Sequence, residues 1–276
     1  MPNHLPPAAY PLLILDFLLS MILFLPISDN RGPDKRFAIA TIILIGLNTG
    51  IFVFTYVILP RQIGEEPAWL VVRQLALTPA RVWAGGNDIA VTMVTSAFLH
   101  GDPLHLASNM FYLFFFGRKV EDVLGSIKFV VFYLACAFIA NFGSIVGESV
   151  LPLTHGSLAS LGASGAIMGV IGAYLFLYQS ERIRTLPLLF GVLPIPWLPR
   201  LRVWFFIAWM IAGNVVSRLL EEQFQSVGYR YTNVDTFAHL GGLIAGLTCL
   251  YLFLPKEMLH FRYRPASPGT RVSKHL

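Results

Sequence analysis

The sequence predicts an all-α membrane protein built on six transmembrane helices. Of its 276 residues, 55% are hydrophobic and only 13% are charged, which is too little charge to keep a domain of this size in solution. Six separate stretches are apolar enough, and long or nearly long enough, to cross a bilayer. They cover residues 37–59, 104–117, 127–147, 162–179, 201–220 and 236–254.

The six stretches define a membrane domain over residues 31–255, with a segment of different character on each side. Residues 1–30 are apolar, and within them 8–27 could form an interfacial helix or a further span, because a proline and an aspartate interrupt the run. The tail 256–276 is basic, contains proline and glycine, and is predicted to be disordered. The first seven residues carry no Lys or Arg, which argues against a cleaved signal peptide.

The distribution of positive charge orients the six spans. If the segment before the first span is inside, the inner segments hold fifteen of the twenty Lys and Arg residues and the outer segments hold five. This distribution predicts that both flanks are cytoplasmic. The location expected for this multi-pass protein is a bacterial plasma membrane. The net charge of +5 is expected to face anionic lipid, and no basic stripe with interleaved aromatics indicates a nucleic-acid partner.

Four polar side chains inside the predicted spans are candidates for function, because such groups are costly in a bilayer. At 1.5 Å per helical residue, Ser164 and His239 both lie about 25 Å above the inner edge of a hydrocarbon core that is about 30 Å thick. The two groups therefore share a depth just below the outer surface. The other two, His105 and Asn109, stand four residues apart on one helical face.

Glycines accompany both the serine and the histidine. A spacing of four between small residues lets two helix backbones approach closely, so a serine on one helix could touch a histidine on the other. The same spacing also occurs where helices only pack, in which case Ser164 and His239 would be bystanders. The glycines predicted to serve helix packing are Gly162, Gly165, Gly169, Gly242 and Gly246.

Hydrogen-bond donors surround the predicted position of Ser164. This serine stands in the first turn of its helix, where unpaired backbone N–H groups favour an anion. His105 and Asn109 can both donate, and donors aimed at a developing oxyanion are what acyl transfer requires. Alternatively, the His105–Asn109 pair is a polar clamp between two helices.

These residues fall into an ordered set of motifs that resembles the rhomboid family of proteases. His105-Leu106-Ala107-Ser108-Asn109 resembles its HxxxN helix, and Gly117 to Glu121 resembles the glycine–glutamate ending of that helix. The quartet from Gly162 to Gly165 resembles the nucleophile motif. Ala238-His239-Leu240-Gly241-Gly242, with Gly246, resembles the base motif of the last helix. The resemblance covers roughly residues 28–255.

The resemblance implies an intramembrane serine endopeptidase with a six-helix core and a catalytic dyad. Ser164 would be the nucleophile and His239 the general base and then the general acid, without an aspartate, metal or cofactor. His105, Asn109 and the backbone N–H of Ser164 would form the oxyanion hole, and Glu121 would be a polar anchor. Where some members stack an aromatic residue on the base, this sequence has Met168.

The expected partners are transmembrane substrates and membrane lipid. A substrate helix must unwind before its peptide bonds can be cut, so we expect a small residue near the outer face with Gly or Pro just inside. The aromatic residues of the fifth span either line a lateral access route or form a lipid-facing belt. They are Trp204, Phe205, Phe206 and Trp209.

Two other functions are compatible with parts of this pattern. A rhomboid-like protein could bind membrane helices without cutting them, although such relatives usually lack the serine or the histidine. A transporter or metal permease could use the histidines, supported by Asp16 only if 8–27 spans. The four histidines concerned are His100, His105, His155 and His239, of which His100 and His155 are interpreted as ordinary outer-loop residues.

Overall fold

Helices form over all six apolar stretches in the computed structural model of the chain. It describes residues 11, 22–29, 37–86, 89–150, 159–189, 193–225 and 235–254. Four of these helices are long and apolar enough to cross a membrane: α1 (Ile39–Ile63, with a π-helical turn at Phe54–Ile58), α6 (Ser126–Val150), α8 (Val203–Gln225, of which Val203–Leu220 is the apolar part) and α9 (Thr236–Phe253).

The second and fourth stretches form helices that fall short of that criterion. Helix α5 is continuous through Pro103–Tyr112, a π-helical turn at Leu113–Gly117, and Arg118–Leu124, so it extends past Arg118 and ends where Gly125 adopts a positive φ. Helix α7 (Ser164–Tyr178) has 15 residues, and most of its side chains are buried because α6 and α9 pack on it.

The long connection after α1 is helical and not extended. It contains α2 (Glu65–Leu75), α3 (Pro79–Trp83) and α4 (Ile89–Thr95), which is followed by a 3-10 turn at Ser96–Phe98. Helix α2 is amphipathic, with Ala68 and Val72 buried and Trp69 and Leu70 exposed. An amphipathic helix with an exposed aromatic is typical of a segment that lies along a membrane surface.

The expectation of a purely helical protein needs one correction, because four strands form a small sheet. They are β1 (Ile22–Asp29), β2 (Arg182–Leu189), β3 (Leu193–Pro194) and β4 (Arg200–Arg202). The pairing of β1 with β2 is antiparallel, from Ile22 opposite Leu189 to Asp29 opposite Ile183, with an irregularity between Pro26 and Ser28. Strands β3 and β4 also pair with β2.

The predicted helix or span over residues 8–27 is therefore wrong for residues 22–27, which are part of β1. Proline at position 26 removes a backbone donor that a helix interior needs, whereas a bulged strand tolerates it. The strand is held by a buried ion pair of Asp29 with Lys119 at 3.4 Å, and by the Tyr174 hydroxyl, which donates to Asp29 at 3.2 Å. The tail 256–276 lies outside the described residues.

The core lies where α1, α5, α6 and α7 meet. Its largest fully buried side chains are aromatic and include Phe116, Phe129, Tyr133 and Tyr174. Glu121 anchors the start of α1 to this core, which is the role that the resemblance implies for it. Its carboxylate accepts the N–H groups of Ala40 and Thr41 at 2.9 and 2.8 Å, the hydroxyl of Thr41 at 2.7 Å and that of Ser126 at 2.6 Å.

Candidate active site

Ser164 is the first residue of α7, and the backbone before it is held in place from both sides. Ser160 and Leu77 exchange backbone hydrogen bonds of 3.1 and 2.7 Å, and the Gly162 N–H donates to the Ser96 carbonyl at 2.9 Å. Gly162 has φ +124°, a region that favours glycine. The chain therefore turns sharply into α7 and leaves Ser164 half-buried at the start of the helix.

Gly162 does not take part in the helix packing predicted for it, because it precedes α7 and faces α5 instead. A Cβ atom at Gly162 would lie 2.8 Å from two ring atoms of His105 and 3.7 Å from Nδ2 of Asn109. The missing side chain thus lets both donors approach the turn that leads into Ser164. A glycine here is required by the backbone angle and by the space that His105 occupies.

The other four glycines lie where α7 and α9 touch. A Cβ on Gly242 would collide with the carbonyl of Gly165, and one on Gly246 would collide with the carbonyl of Gly169. Backbone therefore packs directly on backbone along this pair of helices. The contact brings the start of α7, which carries Ser164, beside the first turns of α9, which carry His239.

A hydrogen bond from α8 orients the His239 ring. The Nδ1 atom of His239 lies 2.7 Å from Oδ1 of Asn214. Because Nδ2 of Asn214 donates to the Met210 carbonyl at 2.8 Å, its Oδ1 faces the imidazole and can only accept. Nδ1 of His239 therefore carries the proton, and Nε2 is left as the basic nitrogen.

Asp235 fixes the beginning of α9. One of its carboxylate oxygens accepts the N–H of Ala238 at 2.9 Å, and the other accepts the hydroxyl of Ser144 at 2.5 Å. The backbone N–H of His239 donates to the carbonyl of the same aspartate at 3.1 Å. A capped helix start, bonded to α6, keeps the His239 backbone in one position.

His105 and Asn109 lie on α5, whose start is capped by Asp102. The Asp102 carboxylate accepts the N–H of His105 at 2.8 Å. Asn109 is only 6% exposed, and its Nδ2 donor has no hydrogen-bond partner among the described residues. A buried donor without a partner costs stability, and because Asn109 lines the cavity this donor is available to a group that enters it.

His100 is buried and is not an ordinary loop residue. It is 2% exposed, and its ring packs edge-on against His105 with 5.1 Å between the ring centroids. Burial is the main reason why the pKa of His100 is lowered to about 4, and the nearby His105 lowers it further. The neutral His100 ring therefore packs against the ring of His105. His155 lies outside the described residues.

One cavity of about 1270 Å³ collects the predicted catalytic and oxyanion residues. Ser164, His239, His105 and Asn109 all contribute to its wall. Met168, the residue that replaces the stacking aromatic, lines it too. Ser164 and His239 are both half-buried and line the same cavity, and they do not face lipid on separate sides of the bundle.

The aromatic residues expected at a lateral access route do not line this cavity. Trp204 and Phe205 are exposed near the start of α8, Phe206 is buried, and Trp209 packs edge-on against Phe24 of β1 at 5.6 Å. The residues of α8 that do line the cavity are Met210 and Arg218. Trp209 directly precedes Met210 along α8, but its ring contacts β1 and does not line the cavity.

Asn214 and Asp235 are functional candidates that the sequence reasoning missed. Asn214 is a polar residue inside an apolar span, which is the signal that singled out Asn109. Asp235 precedes a long apolar helix at the position where a capping residue is expected. As for metal binding, no group of three or more His, Cys, Asp or Glu residues comes together among the described residues.

The fold and the cavity define a helical membrane protein with an open pocket between its helices, lined by apolar residues and by several polar side chains. The Rhomboid domain family matches residues 87–256, which is more than half of the chain. The chain therefore belongs to the rhomboid family.

Several characterised proteins are similar to this chain. Presenilin-associated rhomboid-like protein, mitochondrial, of Homo sapiens is 32% identical over 155 residues, which are 56% of this chain and 36% of that protein. Rhomboid protein 1, mitochondrial, of Saccharomyces cerevisiae is 30% identical over 164 residues, 57% of this chain and 40% of that protein. Rhomboid-like protein 11, chloroplastic, of Arabidopsis thaliana is 28% identical over 239 residues, 81% of this chain and 68% of that protein.

The chain spans well under half the length of the human and yeast relatives. These three relatives are named as mitochondrial or chloroplast proteins, and they give no support to the expected bacterial plasma membrane.

Proposed function

We propose that this protein is an intramembrane serine endopeptidase that cuts transmembrane segments of other proteins near the outer membrane face. The observation that carries the proposal is the cavity shared by Ser164 and His239, whose helices pack backbone to backbone. Family membership adds support, because protease-like function is associated with rhomboid proteins.

The proposed reaction begins with proton transfer from Ser164 to His239. The serine Oγ attacks the carbonyl carbon of the scissile bond while Nε2 of His239 takes its proton. The imidazolium then gives this proton to the departing amine, and the acyl group stays on Ser164. Water attacks the ester with His239 again as base, which releases a carboxylic acid and restores the serine.

In this scheme, His105 and Asn109 stabilise the oxyanion. The unpaired Nδ2 of Asn109 and the imidazole of His105 both lie against Gly162, two residues before the nucleophile. The negative charge would also lie at the start of α7, where the helix dipole is positive. Donors that are fixed before the reaction lose no reorganisation energy when the charge forms.

We propose that all six helices cross the membrane with both flanks on the inner side. Helices α5 and α7 are the two that fail the criterion for an independent span, and both carry part of the site. A short α7 that begins at Ser164 would place the serine below the outer surface, where a cavity can admit water.

The proposed substrates are helices that unwind easily near the outer face. A regular substrate helix hides each carbonyl in an i to i−4 hydrogen bond, so the dyad could reach it only after local unwinding. A small residue at the cleavage site fits beside Gly162, and Gly or Pro just inside favours the unwound form.

Cleavage of a model transmembrane substrate by the purified protein in liposomes tests the proposal. We expect Ser164→Ala and His239→Ala to abolish product formation while the protein keeps its unfolding midpoint. Ser149→Ala is the matched control, because Ser149 is an exposed serine of α6 that does not line the cavity. Undiminished cleavage by the Ser164→Ala variant would refute the proposed protease function. Binding of the substrate without cleavage by the wild type would identify a non-catalytic protein that binds membrane helices.

A further inference from the structure

Four arginines form two cross-strand pairs on the small sheet. Arg182 of β2 lies directly opposite Arg202 of β4, and Arg184 lies directly opposite Arg200. Residues opposite one another in an antiparallel pair point to the same face, and so do residues two apart along a strand. All four side chains therefore project from one face, which we call the arginine ladder.

The arginine ladder is exposed, and no acidic side chain among the described residues pairs with it. All four side chains are exposed, whereas the alternate residues Ile183 and Thr185 are buried on the other face. Within the part of the chain that the structure describes, none of the four arginines makes a side-chain hydrogen bond or an ion pair. Like charges with Cβ atoms about 5 Å apart destabilise a sheet, so this arrangement favours binding of an anion between the pairs.

In the proposed six-span topology, the sheet lies at the inner membrane boundary. Strand β2 follows the end of α7, and β4 leads directly into α8, with the Val203 N–H donating to the Glu181 carbonyl at 3.2 Å. This end of α7 is opposite to the end that carries Ser164. In the connection between β3 and β4, Trp197 is 64% exposed and Leu198 is also exposed. Tryptophan is typical of the headgroup region of a membrane.

We propose that the arginine ladder binds the phosphate groups of anionic phospholipids in the membrane leaflet on this side. One guanidinium group can donate two parallel hydrogen bonds to two oxygens of a phosphate. Two opposed arginines can therefore bind the same phosphate. Trp197 and Leu198 lie beside the ladder and supply apolar surface for the glycerol and acyl chains. That apolar surface is the reason for choosing a lipid and not free phosphate as the ligand. The site is independent of the proposed proteolysis.

The test measures lipid retention by the full-length protein. The wild type and a variant with Arg182→Gln and Arg202→Gln are purified from vesicles that mix phosphatidylcholine with phosphatidylglycerol, and the bound lipid is counted by native mass spectrometry. We expect the variant to retain phosphatidylglycerol on the order of 30-fold more weakly, since each arginine near an anionic surface contributes appreciably. Phosphatidylcholine binding should not change. Arg182→Lys with Arg202→Lys should lose less, because charge remains while the paired geometry is lost.

Two controls keep the result interpretable. Arg61→Gln with Arg73→Gln removes two exposed positive charges from α1 and α2, at the opposite boundary, and should leave retention unchanged. The unfolding midpoint in neutral detergent should be equal for all variants, which shows that each one folds. Wild-type retention by the ladder variant would overturn the proposal. The proposal would also be overturned if inorganic phosphate raised the unfolding midpoint of the wild type as much as phosphatidylglycerol does. The site would then select an anion and not a lipid.

Discussion

Asn214 gives the His239 imidazole a defined tautomer without an aspartate. Its amide is bonded to its own helix through Nδ2 and to the ring through Oδ1, so the ring cannot rotate without losing a hydrogen bond. In some rhomboids, an aromatic residue stacks on the histidine ring and restrains it. This chain has the flexible Met168 at that position. The described residues contain no ring stacked on His239, and the hydrogen bond from α8 takes over the restraint.

We therefore expect Asn214→Ala to lower kcat roughly 100-fold with a smaller change in KM, because a misplaced base costs that much. Asn214→Asp keeps an acceptor and should retain more activity, with the acid limb of its pH–rate profile at higher pH since a carboxylate stabilises the imidazolium. The measurement is steady-state cleavage across pH. If both variants kept the wild-type rate and profile, Asn214 would have only a structural role.

His100 should make the stability of the fold depend on pH. Its pKa is about 4 in the folded protein instead of the ordinary 6.5, because burial disfavours the charged ring. The unfolded chain therefore binds a proton more readily, and stability is lost as pH falls from 6.5 towards 4, by on the order of 3 kcal/mol in total. Below about 4, this residue adds no further loss.

The variant His100→Phe keeps an aromatic ring beside His105 but cannot titrate. Its unfolding midpoint in detergent should fall less than that of the wild type between pH 7 and pH 5. Parallel curves for the two proteins would show that His100 is not the group that titrates with unfolding.

At the scale of elements, the contact between α7 and α9 positions Ser164 and His239, the proposed nucleophile and base. Gly242→Ala would push a methyl group into the Gly165 carbonyl, a backbone atom that cannot rotate away. We expect a loss of about 1–3 kcal/mol in unfolding free energy and a larger loss of cleavage, because Ser164 and His239 would be moved apart.

Gly46→Ala is the matched control for this change. It lies in α1, and a Cβ there would meet no atom within 4 Å. Its unfolding midpoint and cleavage rate should equal or exceed those of the wild type. A similar loss in both variants would mean that any alanine in these helices is harmful, and the close contact would have no special importance.

The helices could be predicted from local sequence, and the sheet could not. Each membrane helix is recognisable from an apolar stretch of about 20 residues, and glycines four apart predict where two helices can touch. The partner of β1 lies more than 150 residues away along the chain, and that partner strand is short and contains a proline. No local period connects two such segments, so only the three-dimensional structure reveals their pairing.

The candidate site shows the same limit at a finer scale. Motif order was enough to single out Ser164, His239, His105 and Asn109, and these four do line one cavity. Asn214 stands alone in its helix without a recognisable motif. Its role depends on which face of α8 meets α9, and that follows from packing and not from spacing.

At the scale of the whole molecule, the helical bundle is a scaffold with different chemistry at its two ends. Near the start of α7 and α9 lies the cavity with its serine, histidine and unpaired amide donor. At the other end, Glu121, the Lys119–Asp29 pair and the small sheet fasten the helices together. The central claim is that this arrangement makes the hydroxyl of Ser164 a nucleophile.

The most direct test of that claim is covalent labelling of the full-length protein by a serine-directed fluorophosphonate, with the modified residue mapped by mass spectrometry. The account predicts one adduct per chain, on Ser164, that disappears in His239→Ala while that variant remains folded. An adduct on another serine, or no adduct on a folded wild-type protein, would contradict it.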